Sequence, residues 1–237
     1  APGSKGNVGT NGTGVLPTYG VIVLGDRVLV KGDVVAGPGA VISKAIIQAP
    51  TAVIEGSKRV ASAAQVLSSV PPPGGSELGS LSVDQGTVTL PGGTYWYSSI
   101  DITGTGKVKL TGPAKIYVTG KVNISGKGFS TSGQSPPNLL IQVLGRSSVA
   151  VHTDFYGGIY APRSMGVSVS AKNFYGAIVA KTLIIGRSGM SVDTPQTGPP
   201  IFTYFNNGPP SFIHYDAAMK NVSVDTGEIE PRVLAWT

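Results

Sequence analysis

The run Phe155-Tyr156-Gly157-Gly158-Ile159-Tyr160-Ala161-Pro162 returns 19 residues later as Phe174-Tyr175-Gly176-Ala177-Ile178-Val179-Ala180-Lys181. Each copy is followed by another short apolar-alternating segment, Val167-Ser168-Val169 and then Leu183-Ile184-Ile185. A related pattern lies upstream, where a β-branched residue or Leu precedes Thr-Gly or Ser-Gly at Ile102, Leu110, Val118 and Ile124. Segments of three to five residues that alternate apolar and polar, such as Val108-Lys109-Leu110, are half-buried strands. The glycines between them supply the positive φ of sharp corners. About 18 to 22 residues holding three short strands make one coil of a β-solenoid. One such coil cannot bury its apolar face alone, so coils must stack and pair in parallel, about 4.8 Å apart. A β-sandwich also has many short strands, but nothing in it requires the same motif every 19 residues. The predicted fold is therefore all-β: a right-handed parallel β-helix forming one elongated domain, with a long loop near its C-terminal end.

Composition agrees with many strands and tight turns. The 34 Gly and 18 Pro are about a fifth of the 237 residues, while the 41% hydrophobic content is enough for a core. Only 13% of the residues are charged, against roughly 25% in an ordinary domain. Such a surface of Ser, Thr, Asn and Gly points to an extracellular or cell-surface protein. Cysteine is absent, which excludes disulfides and thiolate metal sites. No 18-residue apolar span predicts membrane insertion. Ala1 reads as a processed start, and a type IV pilin's long apolar first helix is not seen. The +6 net charge is scattered, with pairs such as Lys58-Arg59 and no basic arm, so nucleic acid is not an expected partner. Weak attraction to an acidic cell-surface polysaccharide is compatible with it.

Along the chain, residues 1–18 read as a flexible or connecting segment and 19–56 as the first β-helix coils. Residues 57–80 read as a linker, Ala/Ser-rich with a short helix through Val60, Ala64 and Leu67, then extended through Pro71-Pro72-Pro73-Gly74-Gly75. The main β-helix spans 81–220 with an inserted loop at 193–212, and 221–237 is a capping or connecting tail. The inserted loop holds two Gly-Pro-Pro triplets (198–200 and 208–210) around Phe202, Tyr204 and Phe205 in a chain only 7% aromatic. It reads either as a flap over an open coil or as a docking surface.

The segment Leu90-Pro91-Gly92-Gly93-Thr94-Tyr95-Trp96-Tyr97, the run from Ala114 to Gly126, both Phe-Tyr-Gly repeats and His214-Tyr215-Asp216-Ala217-Ala218-Met219 carry a family resemblance. Over residues 70–220 the chain resembles an uncharacterised bacterial family of right-handed β-helix domains from surface-anchored and pilus-associated proteins. That resemblance implies a β-helix outside the cytoplasm and brings no catalytic residues. The chain departs from it at 193–212, where family members run almost directly into the His-Tyr-Asp motif. Residues 19–56 also loosely resemble the coils of bactofilins, whose β-helices polymerise end to end.

Little in the chain points to catalysis. Among twelve acids, only Glu228 and Glu230 have the i, i+2 spacing of a glycosidase pair, and they sit in the tail. His152 falls on the polar side of a strand, and His214 with Tyr215 and Asp216 reads as a tie for the last coil, since two distant histidines make a poor metal site. The Gly-x-Gly runs lack the strand–turn–helix context of a phosphate or dinucleotide site. Sequons at Asn11, Asn123 and Asn221 are expected by chance in so Ser- and Thr-rich a chain. No catalytic, cofactor-binding or metal-binding residue is assigned, and no cofactor is expected. The reading is a structural protein that forms a homo-oligomer or polymer through β-helix ends and terminal segments, in or on a filament or pilus. The second reading is a glycan- or host-surface-binding module, and the remote third is a polysaccharide lyase or hydrolase. The candidate interaction residues are Trp96, Phe202, Tyr204, Phe205 and Trp236.

Overall fold

A computed structural model describes residues 8–14, 22–30, 32–64, 68–180 and 183–185, together with the backbone of five short strands beyond them. It is a β-solenoid of about seven turns. Two long sheets each stack eight strands, and all their pairings are parallel. Numbering the stacked levels from one end, the first face runs through Ser80–Val83, Ser99–Ile102, Val122–Ile124, Val149–Val151, Val167–Val169, Leu183–Ile185, Ile22–Leu24 and Ile46–Gln48.

The alternation that suggested strands also builds the core. Leu81, Ile100, Val122, Val149, Val167, Leu183, Ile22 and Ile46 are successive partners and form one inward ladder through all eight levels. Ile102, Ile124, Val151, Val169, Ile185 and Leu24 form a second beside it, each fully or almost fully buried. The polar residues between them, Asp101 and Asn123 among them, face outward. The 19-residue repeat is one level on the next: Phe155 pairs with Phe174 and Tyr156 with Tyr175. The phenylalanine rings stack inside at 5.0 Å and the tyrosine rings outside at 4.6 Å. The two long strands Phe155–Ala161 and Asn173–Ala180 of the second long sheet begin at its corner with the short sheet of Thr87–Leu90, Lys107–Leu110 and Gly128–Ser130. Gly176 sits at that corner with φ +147°, and a Cβ there would meet the carbonyl oxygen of Gly157. Only glycine lets the repeat stack.

Coil length varies more than the repeat suggests. Nineteen residues separate the partners Leu81 and Ile100, 27 separate Val122 and Val149, and 16 separate Val167 and Leu183. The longest coil carries two 3-10 turns, Ser132–Gln134 and Pro136–Asn138, bulging between faces.

The stack does not follow chain order. Residues 19–56 were expected below the main β-helix, but Ile22–Leu24 pairs with Leu183–Ile185, so the N-terminal coils form levels 7 and 8 above it. The exposed ladder on top of level 6 needs a cover, and sheet pairing is indifferent to which part of the chain supplies it. Level 6 itself is composite. It takes Leu183–Ile185, Phe212–His214 between Asn173–Tyr175 and Leu29, and, in a separate three-stranded sheet, Val8–Gly9 beneath Val34–Ala36. Residues 8–14, expected as a free connector, are thus built into the wall.

Two further expectations change. Lys58–Val60, at the start of the expected helix, is a strand paired with Val34–Ala36, because its inward register continues that face. In the expected tail connector, Ser223–Val224 pairs antiparallel with Arg232–Val233 of the same chain. The inserted loop likewise contains a two-strand pairing, Val192–Asp193 with Ile201–Phe202.

Phe174→Ala, which empties the interior stack, is expected to cost about 3–5 kcal/mol. Gly176→Ala should cost more than Gly39→Ala. Gly39 has φ +73° and open space around it, so only the left-handed penalty of about 1–2 kcal/mol applies. Urea denaturation of the three variants checks the order.

Candidate interaction surfaces

The outward polar side chains are largely occupied with joining levels. All five aspartates with described side chains accept a hydrogen bond from an adjacent level. Asp26 accepts from Thr51 Oγ1 at 2.9 Å, Asp84 from Thr103 Oγ1 at 2.7 Å and Asp101 from Asn123 Nδ2 at 2.7 Å. Asp154 accepts from both the N–H and Nδ2 of Asn173 at 3.0 Å. Asp33 accepts from the N–H of Ser57 and from Arg59 Nε, each at 3.0 Å. The Ser57 N–H, and then the Arg59 guanidinium, hold its carboxyl below the ordinary aspartate value. These carboxylates serve as inter-level staples. Among the described residues no cluster of three or more His, Cys, Asp or Glu has the makings of a metal site. His152 is exposed and shares a 2.6 Å hydrogen bond with Ser170 one level up. The sequon residue Asn123 is the donor to Asp101.

The aromatic cluster at Tyr95-Trp96-Tyr97 divides by alternation. Tyr95 and Tyr97 turn inward and stack at 6.1 Å in level 1, and Trp96 turns outward. Trp96 is the first of an outward column, Trp96, Tyr117, Gln142, Tyr160 and Val179, each the register partner of the next. Outward positions of a solenoid should be wet, yet Tyr117, Gln142, Tyr160 and Val179 are all buried. The cover is the segment that returns the chain from level 8 to level 1. Val70 packs on Tyr117, Leu140, Tyr160 and Val179, and the Tyr160 hydroxyl donates to the carbonyl of Ser68 at 2.8 Å. Lower down, Leu78 N–H donates to the Trp96 carbonyl, and Trp96 Nε1 donates to Thr119 Oγ1, which donates to Glu77. Trp96 thus anchors this strap and is no open sugar platform. Beneath the strap lies the side chain of Gln142, 0% exposed, with neither amide atom hydrogen-bonded. Each such unsatisfied group costs about 1–3 kcal/mol.

The two ends of the rod are the remaining candidates. Level 1 ends in the unpaired edges of Ser80–Val83, Thr87–Leu90 and Gly93–Tyr97. Its inward side chains Val88, Leu90 and Tyr95 are only partly buried. Level 8 ends in Ile46–Gln48, Val53–Ile54 and Lys58–Val60, with Val53 and Val60 exposed. Both ends are interior segments of the chain, and no described residue from either terminus covers them. Their charges differ in sign. Between Arg59 and Lys107 there is no cation, and level 1 carries Glu77 and Asp84. Level 8 carries Lys44, Lys58 and Arg59 against Glu55.

One family profile covers the middle of this rod. A domain of unknown function (DUF7305) matches residues 98–196. No curated protein and no solved structure matches the chain. The DUF7305 stretch begins at the turn into level 2 and ends in the inserted loop, so levels 1, 7 and 8 and the strap lie outside it.

Of the other candidates, Phe202 lies in the strand Ile201–Phe202, and His214 lies in the strand that completes level 6. Tyr204, Phe205, Tyr215, Asp216, Asn221, Glu228, Glu230 and Trp236 lie outside the described residues. Sequence reasoning missed Val70 as the strap's anchor. The unbroken apolar runs Ile116-Tyr117-Val118 and Leu139-Leu140-Ile141 were its signal, because a strand wet on one face alternates.

Val70→Asp puts a charge into that contact and is expected to release the strap. Limited proteolysis should then cut faster near Gly74-Gly75, while far-ultraviolet circular dichroism stays that of a β-solenoid. For Asp33 the lowered folded pKa means stabilisation that is present above the unfolded value and lost as pH falls through the folded one. The stability gap between the native chain and Asp33→Asn should therefore close on acidification, as urea titrations at several pH values would show.

Proposed function

We propose that this chain is a non-catalytic structural subunit that assembles end to end with copies of itself. The observation that carries this reading is the pair of three-strand edges at opposite ends of one rod, uncapped among the described residues, one acidic and one basic. Parallel edges are templates for further strands, and two of the three edges at each end are opposite ends of the same two long sheets. A head-to-tail contact between unlike ends does not close on itself, so it yields an open filament. Of the β-helix ends and terminal segments that the sequence suggested, the proposal rests on the ends, levels 1 and 8. A location outside the cell, on a bacterial surface filament or pilus, fits the low charge content and the polar Ser, Thr and Asn exterior. Spending the aspartates on staples also fits a scaffold better than a lyase or hydrolase.

The test is negative-stain electron microscopy with sedimentation across protein concentration and salt. Filaments with an axial repeat of about 38 Å, eight levels at the strand spacing, are expected. They should shorten as salt rises, because screening weakens attraction between exposed charges. Lys44→Glu with Lys58→Glu should reduce assembly and leave the monomer folded. Isolated rods at every concentration would overturn the reading and favour a glycan-binding module, with the half-buried, outward Tyr156–Tyr175 stack as its platform.

A further inference from the structure

Among the described residues, level 6 is where the solenoid is completed by distant parts of the chain. Its inward residues Leu183 and Ile185 are covered by Ile22 and Leu24, and the only covalent route between the two blocks outside this contact is the segment 61–79. We propose that the top of level 6 is also a docking surface for residues 22–60 of a second copy, so that subunits in the assembled protein exchange their N-terminal coils. The inference rests on the self-assembly reading and specifies its connectivity.

Three observations carry it. First, chain direction permits it without any new contact. The N-terminal coils wind from level 7 to level 8 in the same sense as levels 1 to 6. An end-to-end filament therefore has the same order of levels whether a given pair of coils belongs to the copy below it or the copy above it. Second, the segment 61–79 suits both routes. Fully extended it spans about 60 Å, enough to return about 34 Å from level 8 to level 1 of its own copy. In the exchanged form it has only to step from Val60 to an adjacent Ser80. Third, the returning strap is fastened at its two ends, through Ser68 and Val70 and through Glu77 and Leu78, and is loosely covered between them. From 71 to 79 nearly every residue is exposed, three successive prolines have no N–H to donate, and Gln142 is buried beneath the strap without a partner. Lifting the strap returns Gln142 to water.

A tether of this length holds the coils at an effective concentration in the millimolar range. Closed monomers thus prevail in dilute solution and exchange is confined to the assembled state. The occupant is a second copy because the surface already fits this sequence, residue for residue, in its own closed form.

Val23 and Ile184 are register partners across the level 6–7 junction, and the chain has no native cysteine. The test is the double variant Val23→Cys, Ile184→Cys, assembled, oxidised and run on a denaturing non-reducing gel. Exchange predicts a ladder of covalent oligomers and loss of the monomer band, while the same variant oxidised in dilute solution remains monomeric. Filaments that dissolve wholly into internally crosslinked monomers would overturn the exchange and leave end-to-end assembly standing. Absence of any assembled species would overturn both. Val70→Cys gives a second readout that does not depend on disulfide geometry. Its thiol should be protected from maleimide in the monomer and labelled in filaments, and continued protection in filaments would count against exchange.

Discussion

Everything in this molecule depends on the contact of one level with the next. No coil has a core of its own: the ladder from Leu81 to Ile46 exists only because each aliphatic side chain lies on its partner above and below. The same step pairs the backbone, stacks Phe155 on Phe174 and places Asp101 against Asn123. Stability is then close to a sum of nearest-neighbour terms. A level without a neighbour loses apolar cover and hydrogen bonds together. The ends of the rod are consequently its most reactive parts, and the chain answers this differently in different places.

At the top of level 6 the answer is internal, through coils borrowed from the N-terminal part of the chain. On the outward column from Tyr117 to Val179 the answer is the strap, which makes a third layer over one face. The strap costs something locally, since Gln142 is enclosed without partners. At levels 1 and 8 neither device is present among the described residues, and the edges differ in charge. Elsewhere the five described aspartates are held in level-to-level bonds. A sparse set of charges can therefore reinforce stacking along the whole rod without any buried ion pair.

The fold was legible because its defining features are local. Alternation gave the strands, Gly176 and its counterparts gave the corners, and the 19-residue return of Phe-Tyr-Gly gave the stacking period. What was not legible is which level lies on which. Ile22 and Leu183 are both aliphatic residues in short strands, and nothing in either segment names the other as partner. Lys58-Arg59-Val60 reads as helix by composition and becomes strand because Val34 and Ala36 offer an edge. Trp96 looked like a free aromatic because the strap that covers it comes from a distant Pro-rich segment. Which segments form the two ends of the rod was not legible for the same reason, since the first coil in sequence is not the first in space.

That departure has a kinetic consequence. The N-terminal coils are made first, yet their lower face has no partner until Leu183–Ile185 is in place. Contacts of such sequence separation form slowly, because loop closure must precede any stabilisation from them. During that interval residues 22–60 and the top of an incomplete solenoid are both unsatisfied, and each is complementary to the other on any copy. The tether favours closure within one chain, and crowding of copies favours closure between chains. In the exchange proposed above, concentration during folding would set the ratio of the two products, and monomer and filament would be two connectivities of one stack with the same level-to-level contacts.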